Sequence, residues 1–141
     1  MERCFTMLKP GVLRRHLAGE IISRMERKGL KLTASKMMVI SRELAEKQYA
    51  EHQGKPFYQE LVDYITSAPV VCFVWQADDC VALVRKLLGA TKPLEAAPGT
   101  IRGDYCLHTQ HNIMHASDSP ESAEREITLF FKPTEIFDWN D

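Results

Sequence analysis

Apolar and polar positions follow two rhythms along this chain, and the switches between them divide it into short strands and helices. Cys4-Phe5-Thr6-Met7-Leu8 is a compact, largely apolar run that stops at Lys9-Pro10-Gly11, where proline and glycine break any regular pattern. Lys9 is therefore expected at the end of a strand. Between Gly19 and Lys28, Ile21, Ile22 and Met25 recur at helical spacing among charged residues, and Gly29 follows as a C-cap. Leu30 to Ile40 alternates in part and predicts a longer strand, although Met37-Met38-Val39-Ile40 blurs the period. Ser41 can cap a helix over residues 43–51. Gly54-Lys55-Pro56 interrupts it and a second helix runs over residues 57–65, so the two form a hairpin. Val70 to Trp75 is a continuous apolar strand of the buried kind, and Asp78 or Asp79 starts a helix carrying Val81, Val84 and Leu88. Residues 89–105 hold three glycines and two prolines with little periodicity, which predicts a long loop of the sort that usually serves function. A short strand then leads to Ser119-Pro120, a cap followed by proline at the first helical position. This last helix reaches about Phe131, with Ala123, Ile127 and Phe130 on its apolar side.

This order predicts an α/β chain of the α+β kind: a four-stranded antiparallel sheet covered by helices on one face, built from two split β-α-β units of the ferredoxin-like type. A doubly wound parallel sheet is the rival, but the strands are few and no Gly-x-Gly-x-x-Gly turn follows any of them. With 141 residues, 45% apolar and 26% charged, the chain is expected to form a single domain over residues 1–141 with a real hydrophobic core. A formal net charge of -1 offers no global field for nucleic acid or an anionic membrane, so any attraction for phosphate must come from locally clustered Lys and Arg. Cys4, Cys72, Cys80 and Cys106 contain no Cys-x-x-Cys pair, and Met1-Glu2-Arg3-Cys4 leads straight into a strand, which predicts reduced thiols and a cytoplasmic location. No apolar stretch approaches the roughly 20 residues needed to cross a bilayer.

The chemistry concentrates at Asn112-Ile113-Met114-His115-Ala116-Ser117-Asp118-Ser119, which sets one imidazole in a polar frame just before the last helix. A free imidazole titrates near about 6.5, so it attacks phosphorus without the deprotonation that a serine hydroxyl needs. Neither a Gly-x-x-x-x-Gly-Lys-Ser/Thr loop nor the His-Arg-Asp and Asp-Phe-Gly pair of the protein kinases is present. The eight-residue run resembles the active-site signature of the nucleoside diphosphate kinases: Asn, two variable residues, His, Gly or Ala, Ser, Asp and a small residue. Lys9-Pro10-Gly11-Val12, Pro56-Phe57, Pro69-Val70-Val71, the run Pro98 to Asp104 and the run Glu121 to Ile127 resemble further blocks of that family, in its order, so the likeness spans nearly the whole chain.

The resemblance implies the ferredoxin-like fold and a Mg2+-dependent transfer of the terminal phosphoryl group of a nucleoside triphosphate, mainly ATP, to a nucleoside diphosphate. The transfer would be ping-pong, through a phosphohistidine at His115. It implies a catalytic set of His115, Lys9, Tyr49, Glu126 and Ser117, with Lys9 and Tyr49 on the transferred group, Glu126 on one imidazole nitrogen and Ser117 holding Glu126. It implies nucleotide binding by Lys9, Phe57, Arg85, Thr91, Arg102 and Asn112, with Phe57 stacking on the base, Asn112 reaching the ribose and the arginines gripping phosphates. Magnesium would be held mainly through nucleotide phosphates, and the partners would be nucleotides and further copies of the chain, as a tetramer or hexamer.

Three departures from the family pattern stand out. Lys9-Pro10-Gly11 lacks an Asp between proline and glycine, Thr109 replaces a common apolar residue beside the base, and Ala116 sits where glycine is more frequent, which would cost stability if that position needed positive φ. Two other classes compete. Cys106, His108, His111 and His115 lie within ten residues and suggest zinc, although strand geometry would split them between two faces. A ferredoxin-like nucleic-acid-binding regulator is the other, and the chain lacks the aromatic and basic pattern that such a surface needs. Taken singly, Phe57 and Tyr49 are more often core aromatics than ligand contacts, Arg85 reads as a solvated helix residue and Glu126 as a surface partner of Arg125 or Lys132.

Overall fold

The computed structural model describes residues 1–108 and 113–140. Its strands are β1 (Glu2–Leu8), β2 (Lys31–Met38), β3 (Val70–Ala77) and β4 (Met114–Ala116). Its helices are α1 (Pro10–Arg14), α2 (Ala18–Lys28), α3 (Arg42–Gln48), α4 (Tyr58–Ile65), α5 (Cys80–Leu88), α6 (Ile101–Tyr105) and α7 (Pro120–Phe130). The strands form one antiparallel sheet in the order β2-β3-β1-β4, so β3 lies between β1 and β2, and β1 between β3 and β4. That interleaving is the split β-α-β arrangement expected from the sequence.

Helices cover both faces of this sheet, not one. Cys4, Leu8, Phe73 and Trp75 pack against Ile21 and Met25 of α2 and Val84 and Leu88 of α5. On the opposite face Phe5, Met7, Cys72 and Val74 meet Ala45 of α3, Val62 and Ile65 of α4, and Ile127 and Phe130 of α7. The sign of two-sided burial is already in β1, whose residues Cys4 to Leu8 are all at most 1% exposed. A sheet solvated on one side would alternate apolar with polar residues instead. Thr6, the polar exception, accepts a hydrogen bond at 3.0 Å from Trp75 Nε1.

Most helix ends follow local capping chemistry. Ser41 Oγ accepts from the Leu44 amide at 3.1 Å, Ser119 Oγ accepts from Ser122 at 3.0 Å, and Gly29 closes α2 in the left-handed region at φ 103°. Two ends do not. Asp79 precedes α5 at φ 52° without a side-chain cap, and Glu2 of β1 accepts from the Val81 amide at 2.7 Å instead. The helix expected through residue 51 ends at Gln48, and a 3₁₀ turn over Ala50–His52 continues the path. The strand expected over residues 30–40 is shorter and ends at Met38, so Val39 and Ile40 fall outside its period, and it carries a bulge between Leu32 and Ala34.

Residues 89–105 also depart from expectation. They contain a 3₁₀ turn at Pro93–Glu95 and the helix α6, whose Thr100 cap accepts from Gly103 at 3.0 Å. Five residues are too short to display a helical period, so the sequence pattern read as loop. Gly103 lets this helix press against the preceding segment, since a Cβ there would stand 1.9 Å from the Ala97 carbonyl oxygen. Gly103→Ala is expected to lower stability by about 1–3 kcal/mol in denaturant titration. Gly19→Ala, built where a Cβ meets nothing within 4 Å, is the control, expected to be neutral or stabilising by up to about 1 kcal/mol.

Candidate active site

The three residues of β4 are anchored on β1, with Met7 opposite His115. Because Met7 and Phe5 face the α3 and α7 side of the sheet, His115 faces that side too, 6.0 Å from the Phe5 ring. There it meets Glu126 of α7, with 2.6 Å between Nε2 and Oε2. Glu126 is only 2% exposed. Its other oxygen accepts from Ser117 Oγ at 2.7 Å, and the Phe5 amide donates at 3.1 Å to that same hydroxyl oxygen. A hydroxyl has one proton to give, and the shorter bond to the carboxylate takes it. A directed chain thus runs from the Phe5 N–H through Ser117 to Glu126.

Gln48, on the last turn of α3, completes the set: its Nε2 donates to Glu126 Oε2 at 2.6 Å. The 3.2 Å approach of Gln48 Nε2 to His115 Nε2 is then two donors converging on one oxygen. Turning the amide over would set Gln48 Oε1 against a carboxylate oxygen, which fixes the orientation seen. That orientation leaves Gln48 Oε1 buried without a hydrogen-bond partner among the described residues, an arrangement that costs about 1–3 kcal/mol. Burial is the largest influence on Glu126 and pushes its carboxyl upward. Bonds from His115, Ser117 and Gln48 outweigh it, and the net shift is below the ordinary carboxylate range. An ionised Glu126 requires the imidazole proton on Nε2, which leaves the Nδ1 lone pair as the ring's nucleophile.

Around this pair opens a cleft of about 610 Å³ whose lining includes Lys9, Tyr49, Phe57, Arg85, Arg102 and His115. Lys9 follows β1 directly, with its amide donating to the Ile113 carbonyl at 3.1 Å. Burial, then the neighbouring Arg102 charge, bring its ammonium down to about 8. Arg102 is 5% exposed and donates to the carbonyls of Gly89 at 3.1 Å and Met114 at 3.2 Å. Burial and Arg85 lower it to about 10. Arg85 reaches the Ala116 carbonyl at 3.2 Å. Three cations are therefore held against one another at one end of the cleft. Tyr49 is buried with its hydroxyl unpaired among the described residues, and burial pushes its ionisation up, so the group stays a neutral donor.

Phe57 is 45% exposed at the cleft mouth, so it is no core aromatic, and Thr91 lines the same mouth. Of the residues expected from sequence, Lys9, Tyr49, Phe57, Arg85, Thr91, Arg102, His115 and Glu126 all line this cleft. Ser117 lies behind it, fully buried. Asn112, Thr109 and His111 lie outside the described residues. Sequence reading missed Gln48 and His52, both of which line the cleft. The spacing of Gln48 from Tyr49 on an amphipathic helix gave no chemical signal, whereas His52 stood in plain view five residues before Phe57. The positions of Ala116 and Cys106 also bear on earlier expectations. Ala116 is strand backbone, and the positive-φ non-glycine residues of the described chain are His16 and Asp79, so its methyl group is unstrained. Cys106 Sγ donates to the His108 carbonyl at 3.3 Å while His115 is engaged by Glu126, and among the described residues no group of three or more His, Cys, Asp or Glu is arranged to hold a metal ion.

A split β-α-β sheet carrying an oriented imidazole beside crowded cations defines a phosphotransferase. A sequence model of the nucleoside diphosphate kinases matches residues 2–136. The chain is 59% identical to the nucleoside diphosphate kinase of Archaeoglobus fulgidus over 139 residues, 99% of this chain and 92% of that relative. It is 55% identical to that of Listeria monocytogenes over 139 residues, covering 99% and 95%. Its backbone matches the structure of a halophilic nucleoside diphosphate kinase from Halobacterium salinarum in complex with CDP, with a TM-score of 0.97 and 49% identity over 99% of this chain and 93% of that one. The chain belongs to the nucleoside diphosphate kinase family. Its activity is that family's: transfer of the terminal phosphoryl group of a nucleoside triphosphate to a nucleoside diphosphate.

The lowered carboxyl of Glu126 has a consequence for stability. A carboxylate held below its unfolded value stabilises the native state above about 4.5, and this contribution disappears as pH falls through the native value. Glu126→Gln is therefore expected to be less stable than the parent at neutral pH, with the gap closing as pH falls below about 4.5 in denaturant titrations at a series of pH values.

Proposed function

We propose that the reaction runs in two half-reactions through His115, and that residues 1–141 act as a single kinase domain. The Nδ1 lone pair attacks the terminal phosphorus of a nucleoside triphosphate, the N–P bond forms as the bond to the bridging oxygen breaks, and a nucleoside diphosphate leaves. The ring keeps its proton on Nε2 and becomes cationic, and the Glu126 carboxylate 2.6 Å away stabilises that charge without accepting the proton. A terminal oxygen of a second diphosphate then attacks the same phosphorus and frees Nδ1. The observation that carries this reading is the buried Glu126 fixing the imidazole tautomer at the wall of a cation-lined cleft.

Phosphoryl transfer passes through a loose transition state with charge on the equatorial oxygens, so fixed cations and donors do most of the work. Lys9 and the Tyr49 hydroxyl are assigned to the transferred group, Arg85, Thr91 and Arg102 to the remaining phosphates, and Phe57 to the base. Asn112 is assigned to the ribose on sequence alone. Mg2+ fits as an ion brought in on the nucleotide, since lysine and arginine line the phosphate end of the cleft and a metal there takes its oxygens from phosphates and water. When bound, it supplies further neutralisation of phosphate charge. A homo-oligomer, tetramer or hexamer, is supported by the exposed Met37 and Val39 along and just beyond the edge strand β2. A cytoplasmic location is supported by four free, buried cysteines.

Incubation with terminally labelled ATP, followed by removal of nucleotide, is expected to leave acid-labile label on His115 of the parent and none on His115→Ala. Unchanged exchange between ATP and GDP in that variant would overturn the reading. The depressed ammonium of Lys9 adds a pH signature. Bound phosphate favours the charged form, so binding takes up a proton and affinity falls as pH rises above about 8, by at most about tenfold per unit. By calorimetry, a non-hydrolysable ATP analogue is expected to bind Lys9→Met about 10- to 100-fold more weakly at pH 7, as for a lost bond to a charged group. That variant should also lose the proton-linked slope above pH 8.

A further inference from the structure

Among the described residues, Gln48 is the one polar group in contact with both members of the His115–Glu126 pair that the roles above leave unused. It is 3% exposed, it is neutral at every pH, and it spends its amide N–H on the same carboxylate oxygen that receives the imidazole proton. Its own carbonyl oxygen gets nothing in return, being buried without a partner among the described residues. A side chain held in that orientation is held by its bond to Glu126. We infer that Gln48 is a positioning residue that shares Glu126 Oε2 with His115, and so limits how strongly the carboxylate draws the imidazole toward its doubly protonated form.

The physical basis is competition for one acceptor. A carboxylate oxygen that accepts two donors is less basic toward either of them than one that accepts a single donor. With Gln48 in place, Glu126 is basic enough to orient the ring through Nε2, yet offers less stabilisation to an imidazolium, in which Nδ1 carries a proton and has no lone pair to attack with. Ser117 acts on the other oxygen, Oε1, and so does not compete with the ring for the same lone pairs. The other titratable or charged groups that line the cleft with the pair are Lys9 after β1, Arg85 on α5, Arg102 on α6, Tyr49 beside Gln48, Glu51 and His52 on the following turn, Glu60 on α4 and Asp118 after β4. None of these donates to Oε2, so only a change at position 48 alters the sharing of that oxygen while leaving the cations in place.

The inference rests on the phosphohistidine reading for its kinetic consequence, but the relay itself exists whether or not His115 accepts phosphate. The test is a pair of measurements on the full chain: nitrogen NMR of the His115 ring across pH, and the pH dependence of the first half-reaction with ATP. Gln48→Met keeps the length and removes the donor. It is expected to move the ring's protonation, and the acid limb of the rate, to higher pH by about half a unit to one unit. Gln48→Leu, also without a donor, is expected to move both in the same direction. Should Gln48→Met fail to fold, Gln48→Leu alone decides. Ring signals that titrate in either folded variant as they do in the parent would overturn the inference. A shifted ring titration with no label on His115 would support the relay and count against the phosphohistidine instead.

Discussion

The group on which this site depends is the carboxylate of Glu126. A charge that is 2% exposed between a helix and a sheet face is expensive to bury, and it persists because Ser117, His115 and Gln48 all donate to it. Two donors come from β4 and the residue that follows it and one from α3, while the acceptor comes from α7. The same three bonds that make the buried charge tolerable therefore fix the spacing of those elements. The Phe5 amide extends the chain into the centre of the sheet. Orientation of the imidazole is in this sense a property of the core, which is why a ring only partly exposed to solvent can hold one tautomer.

On the other side of His115 the balance runs the opposite way. Lys9, Arg85 and Arg102 are close enough for Arg102 to depress Lys9 and for Arg85 to depress Arg102, and the carbonyl groups of Ala116, Gly89 and Met114 brace the two arginines. Such a cluster is destabilising to the protein alone, because like charges in a poorly solvated wall repel. A polyphosphate would relieve that repulsion on entering. Stability given up in the empty cleft thus reappears as affinity for anionic ligand, and the neighbouring Glu126 stays separate because its charge is already spent on its own donors.

Much of this was legible in the residues and some of it could not be. Gly29, Ser41 and Ser119-Pro120 announced helix ends because capping is local chemistry, and the structure uses each of them. The same is true of Lys9 at the close of β1. The covering of both sheet faces was written in the unbroken burial of Cys4 to Leu8, but Thr6 in that run disguised it as a strand with one polar side until Trp75 supplied the partner. The helix α6 was hidden by its length, and the cap of α5 by distance, since Glu2 is remote in sequence from Val81. Gln48 was invisible for a stronger reason. A glutamine on an amphipathic helix carries no chemical signature, and only the meeting of α3 with α7 gives its amide something to do.

The cleft is also unequal from end to end, and this bears on what the enzyme selects. Lys9, Arg102 and Glu126 are buried and each is held by named bonds or by its neighbours, whereas Phe57 is 45% exposed and Thr91 stands in solvent. If the phosphates sit against the buried cations and the base against Phe57, as proposed, recognition would be rigid at one and open at the other, and would discriminate by charge and by the geometry of transfer. A ring face stacked on an aromatic at a solvent-open mouth is bound without much regard to its hydrogen-bonding edge, because every base has such a face. The same cleft must serve a donor and a different acceptor in turn, so strong edge contacts would favour one base and slow the half-reaction of the other. An exposed Phe57 is thus consistent with an enzyme whose selectivity lies in the diphosphate, and the cost of that tolerance is carried by the buried cations at the far end.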